Sequence, residues 1–65
     1  MFTLDKVTGS KEFATKDYTI CRENTLNAIK EYINNHQLNG LFQIIEWVTE
    51  TSGNIIDTID FKIKS

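Results

Sequence analysis

Apolar and polar positions alternate most regularly in the last third of the chain. Phe42, Ile44 and Val48 form an even-numbered apolar set there, and Ile59, Phe61 and Ile63 an odd-numbered one. Strand side chains point alternately to the two faces, so residues 41–50 and 55–64 read as the arms of one β-hairpin. Only an even number of loop residues puts both sets on one face. A four-residue loop from Thr51 to Asn54, or a two-residue Ser52-Gly53 loop, meets that condition. A Gly53-Asn54 loop meets it too, but it sets Glu50 across from Asp57 and opposes like charges. The combined face is expected to receive a helix.

Leu41, Ile45 and Trp47 have the other parity, and Ile56 joins them from the neighbouring strand. A single helix covers one side of a sheet, so this second apolar face calls for solvent tolerance or a partner. Tryptophan is enriched among residues that dominate binding energy. These four residues are therefore the candidate interface.

Toward the N-terminus the pattern is weaker. Phe2 to Val7 reads as a strand, Thr8-Gly9-Ser10-Lys11 as a turn, and Phe13 to Cys21 as the returning strand. Lys16 falls among the apolar set Ala14, Tyr18 and Ile20, and Val7 and Phe13 have opposite parity, which predicts a bulge or bend near the turn. Between the two hairpins, Leu26, Ile29 and Ile33, with His36 at the margin, recur at helical spacing, while Asn27, Glu31, Asn34 and Asn35 fall on the opposite side. Asn24 or Thr25 is placed to cap the start, and Gly40 to reverse the chain after the end. The expected fold is a single α+β domain of ββαββ order, an antiparallel sheet with one helix packed on one face: hairpin 2–21, helix about 25–36, hairpin 41–64.

Length changes the picture by limiting the core. A chain of 65 residues buries only about 60% of its unfolded surface. The lone Cys21 excludes an internal disulfide, and Cys21 with the single histidine, His36, does not make a zinc site. Self-association remains as a source of added stability, which points to a homodimer or a protein partner. The start, Met1-Phe2-Thr3-Leu4-Asp5-Lys6, lacks the basic and apolar runs of a secretion signal, and no stretch reaches the roughly 20 apolar residues that span a bilayer. A cytoplasmic protein without membrane contact is expected.

The net charge of −2 argues against nonspecific nucleic-acid binding, because Lys6, Lys11, Lys16 and Arg22 are interleaved with Asp5, Glu12, Asp17 and Glu23. Glu46, Glu50, Asp57 and Asp60 precede the first base of the C-terminal hairpin, Lys62, and form a candidate acidic patch for a basic partner. No catalytic, cofactor-binding or metal-binding set stands out. Asp57 and Asp60 project to opposite faces, and the glycines make no phosphate loop. Glu46 has core-facing parity, so it lies beyond the helix's cover, pairs with Lys30, or serves as a functional acid.

The expected function is accordingly noncatalytic, with no cofactor: a small protein-interaction or regulatory module. The abundance of Asn, Ile, Lys and Thr also associates it with phage or mobile-element accessory proteins that inhibit or redirect a host protein. The alternative is a small sheet that binds nucleic acid, with Phe13, Tyr18 or Trp47 stacking on bases and Lys11, Lys16 and Arg22 neutralising phosphate.

Overall fold

The computed structural model describes residues 1–62, so Ile63 and Lys64 of the expected second hairpin lie outside the described residues. Four strands and one helix follow one another as β1 (Phe2–Gly9), β2 (Ala14–Glu23), α1 (Leu26–Asn35), β3 (Gly40–Trp47) and β4 (Gly53–Phe61). The strands form one antiparallel sheet in the order β2-β1-β3-β4. The ββαββ order and α+β class are those the sequence pattern predicts.

Two register shifts explain the mixed parity of the first hairpin. Pairing passes from Leu4↔Cys21 to Asp5↔Thr19, and again from Lys6↔Tyr18 to Val7↔Lys16, which leaves Ile20 and Asp17 as extra residues on β2. Each bulge rotates the following side chains relative to β1. β2 also continues past Cys21, to Glu23.

The helix begins at its expected cap. Thr25 has extended backbone, and its hydroxyl oxygen accepts from the Ala28 amide at 3.2 Å. Ile29 is fully buried, with Leu26, Tyr32 and Ile33 packed around the same core, while Asn27, Glu31, Asn34 and Asn35 are exposed. His36 closes the other end: its Nδ1 lies 2.9 Å from the Tyr32 carbonyl oxygen, and its ring stacks on Tyr32 with centroids 3.9 Å apart. Gly40 then turns the chain into β3 at φ 102°, a conformation that side-chain-bearing residues avoid.

The helix does not sit over the C-terminal hairpin as expected; it packs nearest β2 and β1. The link from β2 is short, Asn24 and Thr25, so the helix folds back over the hairpin it has just left. β3 still shares the core through Phe42 and Ile44, which are buried with Leu4, Cys21 and Ile29. Ile59 and Phe61 of β4 are half-buried at the margin, where Phe61 meets Phe42 edge to face at 5.6 Å.

A second correction concerns the loop. β3 ends at Trp47 and β4 starts at Gly53, so residues 48–52 make an odd-numbered connection. The Val48 and Thr49 amides both donate to the Ser52 carbonyl, at 2.9 and 3.1 Å. Val48, assigned by parity to the core, lies in this turn and is 68% exposed. The core faces nevertheless align because pairing shifts from Ile44↔Asp57 to Ile45↔Ile55, leaving Ile56 as the extra residue. The bulge cancels the odd loop, and Phe42 faces Ile59.

Candidate functional site

The sheet face away from the helix carries the candidate interface. Pairing of Leu4 with Ile44 and Cys21 defines the helix side; Thr3, Asp5 and Val7 of β1 and Leu41, Gln43, Ile45 and Trp47 of β3 alternate to the other. The shortest extent of the molecule, 16 Å, accommodates one sheet and one helix, and among the described residues no second layer covers this outer face.

The outer face is more closed than its sequence implies. Thr3, Asp5 and Val7 are between 0 and 1% exposed, and Gln43 is buried beside them. β1 has a neighbour on each side, and side chains from those neighbours lie across it. The Trp47 indole Nε1 donates to Thr3 Oγ1 at 2.8 Å, and the Thr19 hydroxyl donates to Asp5 Oδ1 at 2.6 Å. Gln43 Nε2 donates to Thr58 Oγ1 at 3.4 Å. Asp5 Oδ2 has no partner among the described residues. Nothing in the spacing of Thr3, Asp5 and Gln43 marks them for burial; it follows from the central place of β1 in the sheet.

Trp47 is half-buried, held between two strands. Its pyrrole N–H reaches β1, and its six-membered ring lies over Gly53 on β4, where an added Cβ would stand 3.0 Å from Cε3 and 2.8 Å from Ile45 Cγ2. These contacts hold the indole between β1 and β4. Leu41 and Ile45 are also half-buried, whereas Ile56, the bulge residue, is exposed. Ile55, across from Ile45, is 59% exposed, and Val48 stands out in the adjoining turn. The apolar exposure of this hairpin thus gathers at its tip rather than along the whole face. Among the described residues β4 is paired on one side only and forms a sheet edge.

The four acids do not form one patch. Glu46 pairs with Phe2 and Asn54, and Asp57 with Ile44, so both have helix-side parity; Asp60 pairs with Leu41 on the outer face, and Glu50 lies in the turn. Glu46 is exposed, beyond the helix's cover.

A cleft of about 610 Å³ opens beside Trp47. Lys16 and Arg22 of β2, Trp47, Met1, and Val48 and Glu50 of the turn are among the residues that line it. The sheet therefore brings together two cations and one aromatic ring from distant parts of the sequence. Phe13 and Tyr18 are exposed elsewhere on the first hairpin, outside this cleft.

Cys21 and His36 are engaged separately. The Cys21 thiol is buried on the helix side and donates to Glu23 Oε1 at 3.8 Å. Burial, then the Glu23 charge and this hydrogen bond, push its pKa up, which disfavours the thiolate needed of a nucleophile. Among the described residues no group of three or more His, Cys, Asp or Glu side chains is placed to hold a metal ion, and no helix is long and apolar enough to cross a membrane. Comparison with protein-family models, curated proteins and solved structures found no match.

Proposed function

We propose that this chain is a noncatalytic protein-interaction module that docks a partner on the free edge of β4 and the apolar tip of the β3–β4 hairpin. The observation that carries this reading is the exposure of Val48, Ile55 and Ile56 next to an unpaired strand edge. Such an edge offers main-chain N–H and C=O groups to an extended segment, and adjacent apolar side chains add specificity. Asp57 and Asp60 lie on that same strand, so a partner segment bearing Lys or Arg is favoured over an acidic one. A second copy of the chain would instead use Leu41, Ile45 and Trp47 on the outer face. The biological setting proposed is that of a cytoplasmic phage or mobile-element accessory protein, which would inhibit or redirect a host protein by occupying its surface.

Affinity capture with the full chain and with an Ile55→Asp/Ile56→Asp variant tests the edge. A partner retained by the parent, lost by the variant, and protecting β4 amides from hydrogen exchange is the expected result. Recovery of nothing beyond what the variant recovers would overturn it. Light scattering across concentration separates partner binding from self-association.

A further inference from the structure

The cleft beside Trp47 shares Val48 with the hairpin tip, but its cations come from the opposite edge strand and its chemistry is different. It has a guanidinium from Arg22, an ammonium from Lys16 and one carboxylate, Glu50, giving a local surplus of positive charge in a chain whose net charge is −2. Both cations are exposed and come from the edge strand β2. Trp47 lines the cleft beside them, and its indole is held in place by its bond to Thr3 and its contact with Gly53, so it needs little further ordering to meet a ligand. A volume of about 610 Å³ lies within the range of small-ligand sites.

We propose that this cleft binds a phosphate-bearing nucleobase, either as a free nucleotide or as one link of a single strand. The base stacks on the open face of Trp47, an interaction that tolerates any planar base. Arg22 holds two phosphate oxygens with its fork, and Lys16 supplies a second positive charge. Glu50 repels negative charge at the turn end, so the phosphate lies toward β2 and the base toward Trp47. An acidic peptide satisfies the cations but leaves the flat ring face unused, and it brings carboxylates toward Glu50. The inference goes beyond the edge reading: Lys16 and Arg22 are on the opposite edge strand from β4, so either can fail alone.

Trp47 is the only tryptophan, and its emission reports on the site directly. The full chain is titrated at low salt with cytidine monophosphate, cytidine, inorganic phosphate and a short single-stranded oligo-dC. Quenching by the nucleotide or the oligonucleotide is expected, with cytidine and phosphate alone each weaker by about tenfold or more and the binding reduced by added salt. Arg22→Gln and Lys16→Gln each weaken binding by about tenfold while circular dichroism stays unchanged, since neither side chain is in the core. A much tighter oligonucleotide assigns the site to single strands; equal affinities assign it to free nucleotides. Absence of quenching at millimolar ligand, binding indifferent to both substitutions, or an acidic peptide that binds as tightly as the nucleotide would each overturn the proposal.

Discussion

The indole N–H of Trp47 and the hydroxyl oxygen of Thr3, 44 positions apart in the chain, are joined by a 2.8 Å hydrogen bond across the outer face. Thr3 is 1% exposed, so its oxygen has no water to fall back on once the donor is gone. Trp47→Phe is expected to cost about 1 to 2 kcal/mol in urea unfolding followed by circular dichroism. Thr3→Val in the same background recovers part of that loss, because both polar partners are then absent. Strictly additive costs in the double-mutant cycle would show that the bond contributes nothing.

Asp5 presents the opposite situation, a buried carboxylate with one oxygen bonded to Thr19 and the other unpartnered. Asp5→Asn keeps the acceptor for Thr19 and turns the orphan oxygen into a donor beside Gln43, its cross-strand neighbour. Removal of a desolvated charge and of an unsatisfied acceptor is expected to stabilise the fold by about 1 kcal/mol. Chemical denaturation at pH 7 decides it, and a lower midpoint for the variant contradicts the argument.

Thr25 caps a helix that has no acidic residue in its first turn and no basic residue in its last. The cap is consequently the main polar support at that end. Thr25→Ala is expected to lose about 1 kcal/mol, and Thr25→Ser to lose less, both measured from unfolding midpoints.

Cys21 makes stability depend on alkaline pH. Its thiol is raised above the ordinary value of 9.0, chiefly by burial and secondarily by Glu23. The native state therefore holds the proton more tightly than the unfolded chain. This contribution is complete below the unfolded thiol's titration and declines as pH climbs through the folded one. Cys21→Ala should flatten that alkaline decline, whatever it does to stability at neutral pH. Alkylation by iodoacetamide at pH 8 should likewise be slower in the folded chain than in urea.

Local pattern was sufficient where each residue's environment depends on its near neighbours. The Thr25 cap, the Leu26, Ile29 and Ile33 stripe, the reversal at Gly40, and the burial of Phe42 and Ile44 all follow from spacing and backbone preference. What spacing did not convey was strand order. With β1 placed centrally, Thr3, Asp5 and Val7 become buried on a face that alternation marks as outer. The same placement puts β2 and the end of β3 on either side of β1, and this brings Lys16 and Arg22 toward Trp47. Val48 was misplaced for a different reason: parity counting assumes that β3 continues, but the strand ends at Trp47 and Val48 falls in the turn; the Ile56 bulge on β4 altered the loop count instead, without leaving a residue-type signature.

The odd loop and the Ile56 bulge together give the hairpin one residue of slack. Deleting Ile56 leaves Ile44 opposite Asp57 and Ile45 opposite Ile55 in an unbroken ladder, so Ile59 and Phe61 keep their side of the sheet. Deletion within Phe2 to Lys6 has no such reserve, because those residues are paired on both sides at once. Changes in chain length are thus tolerable in the outermost strand and prohibitive in the central one, which places the freedom to vary on the edge where a partner would be met.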